Sequence, residues 1–375
     1  MENPYFRVHE SVASATTVIN SREVINFSSY NYLGFAGDEQ VKQAAKAAID
    51  TYGTTVSASR IIAGERPIYQ ELEDELADFL GADAAVLVVS GYTTNFTSIG
   101  HIFHRKDLIL YDEFSHNSIV QGAYLSRAKM VPFAHNDMAD LERLLTERRG
   151  DYRKALIVTE GVYSVDGDIP DLPKLIELKK QHDAFLMIDE AHSLGVIGTS
   201  GRGIAEYWDI DAHDIDILMG TLSKSLASCG GYLAGSELFV KYLKYTMPGF
   251  MFSVGMTPAN TAAALSALRK LKQHPERVAQ IQKNAHFFIE YAKGLGLDTG
   301  NSHNSGVIPI TIGGTIRAMK ISNYLFDHGT NVSPLAAPAV PEGEAKLRFF
   351  ILADHTEDQM RTALETVVEG LKHYE

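Results

Sequence analysis

Short β-branched apolar runs alternate with amphipathic stretches along most of the chain. Residues 84–90, 108–112, 129–133, 155–160, 185–189 and 217–221 read as strands. Residues 39–52, 68–80, 138–149 and 172–182 place apolar side chains at helical spacing. Strands that are apolar on both faces and separated by helices predict a mostly parallel sheet covered on both sides, an α/β fold. Near Pro258 the rhythm changes. Two long helices are expected over 257–273 and 275–295, interrupted near His274-Pro275, with Thr257-Pro258 supplying a cap and first-turn signal. A strand at 306–312, a helix at 315–328, a strand at 346–352 and a helix at 356–373 then make a compact α+β unit. The expected organisation is an N-terminal segment 1–37, a large domain 38–270 and a small C-terminal domain 271–375. Proteins of this kind bind ligands where loops leave the carboxyl ends of the strands, or between lobes.

Composition narrows the function classes. The chain has 375 residues, 45% apolar and 22% charged, the mix of an ordinary globular protein. Its net charge of -13 repels phosphate backbones and argues against nucleic acid as the main partner. Any phosphate-bearing ligand then needs a local, structured site. The single cysteine, Cys229, excludes an intrachain disulfide and constrains the redox compartment only weakly. Residues 1–13 carry charges and lack the apolar stretch of a signal peptide. Apolar runs are far shorter than the ~20 residues that span a bilayer, so no membrane span is expected and the cytoplasm is the default compartment.

The candidate chemistry lies in loops that follow strands. Asp189 ends an apolar run and opens Asp189-Glu190-Ala191-His192. A carboxylate there is costly to bury without a cationic partner, and a protonated pyridine nitrogen is one such partner. The alternative is that Asp189 and Glu190 cap the next loop. Lys224, in Thr221-Leu222-Ser223-Lys224-Ser225, has small and hydroxyl neighbours that leave room for an imine with an aldehyde cofactor. Partial burial would lower its amine pKa; a surface lysine in a Ser-rich loop is the competing reading. Ser90-Gly91-Tyr92 joins a strand to a helix, and the helix-start N–H groups form an anion site. His116, after the strand 108–112, is suited to stack on a flat ring, or is incidental to a helix cap. Ser164 offers a hydroxyl in a Gly/Asp/Ser loop. Arg348, buried by the strand alternation, suits a substrate carboxylate or a structural ion pair. Together, an anion nest, a ring stacker, a hydroxyl, an acid and a lysine match what pyridoxal 5'-phosphate requires.

On Ser90-Gly91-Tyr92, Ser115-His116, Glu160-Gly161-Val162-Tyr163-Ser164-Val165-Asp166-Gly167, Asp189-Glu190-Ala191-His192 and Thr221-Leu222-Ser223-Lys224, the sequence resembles the α-oxoamine synthase family of pyridoxal-phosphate enzymes. The matching stretches run from Asn26 to Arg348. The resemblance implies an aminotransferase-like fold and a homodimer with its active site at the subunit interface. It implies that Lys224 is the Schiff-base lysine, that Asp189 binds the pyridine nitrogen and that His116 stacks on the ring. Ser164 and His192 would face the ring hydroxyl. Thr221 and the backbone of Gly91 and Tyr92 would hold the phosphate, with Ser253 contributing across the interface. Arg348 would take the amino-acid carboxylate. Tyr30 stands near that carboxylate where several relatives have asparagine, the 221–228 loop is less glycine-rich than in many relatives, and 252–258 is looser. Residues 53–60 also resemble synthase domains of polyketide assembly lines, where an acyl carrier protein delivers the acyl group.

The implied activity is decarboxylative condensation of an amino acid with an acyl thioester, an acyltransferase reaction giving an α-amino ketone, carbon dioxide and free thiol. Two rivals are an aminotransferase of the same fold and a non-catalytic partner subunit. The latter is disfavoured because Lys224 and Asp189 are both present.

Overall fold

A computed structural model describes residues 2–374. The chain divides into two compact units, each with its own core.

The larger unit, residues 39–163 and 169–273, is built on a seven-stranded sheet. Its order is Ala84–Val88, Gly231–Gly235, Ile217–Thr221, Phe185–Asp189, Ala155–Glu160, Leu108–Asp112, Lys129–Phe133. Gly231–Gly235 is antiparallel to both neighbours, and every other pairing is parallel. All strands but that one therefore point the same way, and their carboxyl ends share one edge. Ala155–Glu160 is buried at every position, which is why its sequence is a near-continuous apolar run. Val86, Ile109, Val158, Met187 and Met219 on one face pack with Ile99, Ile119 and Leu243. Helices start on polar caps: Ser90 before Gly91–Ile102, Asp137 before Met138–Arg148, Asp171 before Leu172–Gln181. The sheet is mostly parallel, as the strand pattern predicts, but the Gly-flanked strand at 231–235 is an addition.

The smaller unit comprises residues 1–38, 164–168 and 274–375. Val307–Gly313, Ala345–Phe350 and Ser333–Leu335 form an antiparallel sheet with Ala345–Phe350 at its centre. A second sheet pairs the hairpin Thr16–Ile19/Arg22–Asn26 with the short strand Thr330–Asn331. Phe27, Phe288, Leu347, Phe349 and Leu364 are core members. The break at His274-Pro275 falls between Pro258–Gln273, in the larger unit, and Glu276–Gly294, in this one. The last helix, Glu357–His373, starts on a reciprocal Thr356/Gln359 capping box. Among the described residues, no helix is long and apolar enough to cross a membrane.

His355 ties this core together and gives it a pH signature. It is buried, and its ring stacks on Phe27 with centroids 4.2 Å apart. The Leu352 N–H donates to Nδ1 at 3.0 Å, so the proton lies on Nε2, which faces the Asn26 carbonyl at 3.2 Å. Burial lowers its pKa from 6.5 to about 3, against the smaller opposing effect of that carbonyl. The unfolded chain takes up the proton near 6.5 and the folded chain only near 3. This part of the stability is full above 6.5 and is lost as pH falls toward 3. His355→Gln should flatten the pH dependence of urea unfolding across that window; a profile as steep as the parent's would count against this account.

Candidate active site

Register brings the predicted loops to one edge of the large sheet. Asp189 pairs with Glu160 on one side and Met219 on the other. Val88 and Thr221 both pair with Gly231. Neighbouring strands lie ~4.8 Å apart. The loops that carry Gly91, His116, Asp189 with His192, and Thr221 with Lys224 therefore leave the sheet side by side.

Gly91 opens the helix Gly91–Ile102, whose cap Ser90 accepts from the Thr93 N–H at 3.1 Å. A Cβ on Gly91 would meet Thr221 Oγ1 at 2.8 Å, so the helix start and the strand end close on each other. Thr221 Oγ1 lies 2.7 Å from Ser223 Oγ and donates to the Gly230 carbonyl at 3.0 Å. A helix N-terminus with two adjacent hydroxyls suits a phosphate. The exposed Tyr92 donates to Asn117 Oδ1 at 3.0 Å, and its ring lies edge-on to His116 at 6.3 Å.

Asp189 is 4% exposed. Its Oδ2 accepts from Asn95 Nδ2 at 2.7 Å and its Oδ1 from the Ala191 N–H at 2.9 Å. Among the described residues no cation is ion-paired to it. A buried carboxylate with two donors and no cationic partner fits a ring N–H⁺ in a way that a simple loop cap does not. The Ala191 contact means Asp189 also turns the loop, so the capping and site readings coexist. Glu190, also buried, has its pKa pushed up to about 7, first by burial and then by the Asp189 charge, while Ser193 and the Ile204 N–H oppose the rise.

His116 caps Asn117–Ser126. Its N–H donates to buried Glu160 at 2.7 Å, and its Nδ1 lies 2.6 Å from Ser118 Oγ. The helix-cap reading of this histidine is thus realised together with its place on the site edge. Lys224 is half-buried in the turn after Thr221, where the Ala227 N–H donates to its carbonyl at 3.0 Å. The neighbouring Ser225 is buried and donates to the Leu194 carbonyl at 2.6 Å, fixing this turn to the loop that carries buried His192. Ser253 lines a small cleft with Arg60, Tyr69, Val89 and Phe250, and donates to the adjacent Val254 carbonyl at 3.3 Å.

Three further predicted residues belong to the smaller unit and gather there. Arg348 Nη1 donates to the Ser164 carbonyl at 2.8 Å, and its guanidinium lies 4.8 Å from the centre of the Phe350 ring. The Tyr30 ring packs edge-on to Phe350 at 4.6 Å. Arg348 is half-buried rather than buried. Leu347 and Phe349 occupy the core side of the strand, and alternation turns Arg348 to the other face. A cavity of about 560 Å³ lies elsewhere, at the amino-terminal edge of the large sheet among Phe103, Phe185, Ile217 and Phe239, and includes none of the predicted site residues.

Asn95, Ser118 and Glu160 bond the predicted residues but have no role in the sequence reading. Asn95 carries a legible signal, since it stands four residues after Gly91 and so on the same helix face. Ser118 and Glu160 carry none, because their contacts bridge separate loops.

Residues 22–367 match the family described as aminotransferase class I and II, and the chain belongs to that family. It is 42% identical to the 8-amino-7-oxononanoate synthase of Fervidobacterium nodosum, over 96% of this chain and 91% of the relative. It is 38% identical to a serine palmitoyltransferase of Sphingobacterium spiritivorum, over 99% and 92%. The solved serine palmitoyltransferase of Sphingomonas wittichii superposes with a TM-score of 0.94 at 30% identity, covering 100% of this chain and 94% of that one. A serine palmitoyltransferase solved with pyridoxal phosphate gives 0.93 at 30% identity, over 99% and 93%. Within the family the chain is an acyltransferase of the α-oxoamine synthase type, with pyridoxal 5'-phosphate as its cofactor.

Proposed function

We propose that the protein condenses an amino acid with an acyl thioester, releasing carbon dioxide and free thiol and leaving an α-amino ketone. The observation that carries this reading is the buried Asp189, to which no cation is ion-paired among the described residues, at the same sheet edge as the Lys224 turn. Bound there, pyridoxal phosphate supplies an aldehyde for amine capture and a sink for the electrons left on the α-carbon. Asp189 holds the proton on the ring nitrogen. Thr221 and the N–H groups of Gly91 and Tyr92 take the phosphate. His116 covers one ring face, and Ser164 and His192 serve the ring hydroxyl. The Lys224 amine would hold the cofactor aldehyde in the absence of amino acid and would move the proton at the α-carbon. Arg348 pairs with the amino-acid carboxylate, with Tyr30 beside it.

The functional form is a homodimer in which Ser253 of the partner subunit adds a hydroxyl to the phosphate site. Coenzyme A or an acyl carrier protein delivers the acyl group, and a cytoplasmic setting suits both. Supporting this reading over transamination is the naming of the relatives as synthases and transferases.

The test is a product balance with a panel of amino acids and acyl thioesters. Thiol and carbon dioxide should appear together, one for one, with no amino-group exchange between the amino acid and keto acids. Exchange without thiol release would make the protein an aminotransferase. No cofactor capture on borohydride treatment would make it a silent partner subunit.

A further inference from the structure

A chain of buried hydrogen bonds links the Asp189 carboxylate to the His116 ring. Asn95 and Ser118, each 1% exposed, are its two intermediates. Asn95 Nδ2 lies 2.7 Å from Asp189 Oδ2 and 2.9 Å from Ser118 Oγ, so both hydrogens of its amide are engaged. Asn95 Oδ1 is buried without a hydrogen-bond partner. Turning the amide over would satisfy nothing, since it would set a carbonyl oxygen against a carboxylate oxygen. The charge on Asp189 therefore fixes which way Asn95 points.

Direction then propagates. Ser118 Oγ accepts from Asn95, which leaves its own hydrogen for His116 Nδ1, 2.6 Å away. The Ser118 backbone N–H points at the same nitrogen from 3.3 Å. Two donors converge on Nδ1, so that atom is an acceptor.

We infer that Asn95 and Ser118 are positioning residues that transmit the ionised state of Asp189 to His116 and hold its ring with the proton on Nε2. The His116 backbone N–H is anchored separately on Glu160 Oε1 at 2.7 Å, so the relay sets the tautomer while Glu160 fixes the start of the helix. The functional sense of the relay rests on the proposed ring-binding roles of Asp189 and His116. A neutral imidazole of defined tautomer presents an unchanging face to a ring whose nitrogen is protonated by the same network. A cationic imidazole would set a second positive charge against it.

The test reads the tautomer directly. Full-length protein labelled with ¹⁵N-histidine is compared by long-range ¹H–¹⁵N correlation, with and without pyridoxal phosphate. The His116 signals are assigned by their loss in His116→Asn. The parent should show an acceptor-type Nδ1 and a protonated Nε2 in both forms. In Ser118→Ala only the longer backbone N–H contact remains, so the acceptor signature of Nδ1 should weaken toward a mixture of tautomers. Asn95→Ala should weaken it too, although Asn95 does not touch the ring, and Ser118→Thr should restore it. Far-ultraviolet circular dichroism establishes that each variant is folded. A proton on Nδ1 in the parent overturns the inference, and so does an unchanged Nε2 tautomer in folded Asn95→Ala. Because the cofactor-free protein reports the tautomer, that failure is distinct from a failure of the Lys224 assignment, which borohydride capture reads.

Discussion

Replacing Lys224 with alanine should lower turnover by roughly 10⁴-fold or more, the scale on which loss of a nucleophile acts. The fold should survive. Lys224 is half-buried in a turn whose backbone bond runs from the Ala227 N–H to the residue 224 carbonyl, and that bond does not need the side chain. Far-ultraviolet circular dichroism of the cofactor-free variant should match the parent's. Borohydride capture of pyridoxal phosphate, followed by mass spectrometry of the labelled peptide, checks the chemical assignment. Capture of the cofactor on another lysine, with full turnover in Lys224→Ala, would remove the centre of the proposed mechanism.

Asp189→Asn should cost about 10²- to 10³-fold in turnover, the range for removing one preorganised electrostatic contact. The amide fills the same volume but supplies no fixed negative charge to hold a proton on the ring nitrogen. Stability should change less. The amide sheds a buried charge, but its NH2 group must face one of the two donors that the carboxylate accepts from, Asn95 Nδ2 or the Ala191 N–H, so the cofactor-free variant should melt close to the parent. The rise in melting temperature on adding pyridoxal phosphate should shrink, because stabilisation by a ligand follows its affinity. Two melting curves per protein, with and without cofactor, separate these effects. A cofactor-induced rise equal to the parent's would show that Asp189 does not bind the ring.

Much of the larger unit was legible in the sequence because its strands are buried on both faces. Runs such as Ala155-Leu156-Ile157-Val158 admit few other fates. Gly231–Gly235 was missed because Gly-Tyr-Leu-Ala-Gly reads as a loop. Its glycines are demanded by contact: a Cβ on Gly231 would collide with Thr94 Oγ1. The hairpin Thr16–Ile19/Arg22–Asn26 carries a turn signal at residues 20 and 21. Asn20 and Ser21, at its turn, have φ of 54° and 56°, as a tight two-residue turn requires. Thr330–Asn331 is too short for any periodicity to register.

At the site, the loops were legible because chemistry-bearing residues follow apolar runs. The relay was not, since Asn95, Ser118 and Asp189 lie in three separate stretches and only the folded register joins them. The burial expected of Arg348 is not realised, because alternation tells which residues share a face, but not which face meets the core.

The chain passes from one unit to the other at 38/39, 163/164, 168/169 and 273/274. Neither unit is therefore a portable module. A fragment ending at residue 273 would keep the hairpin Thr16–Ile19/Arg22–Asn26 but lose Thr330–Asn331, the strand that completes its sheet. A fragment beginning at 274 would lose Phe27, the ring on which His355 stacks. Grafting the strand that carries Arg348 onto another member of the family thus means exchanging three stretches of sequence at once, and recombination at a single crossover would leave both parents' halves with unfinished cores.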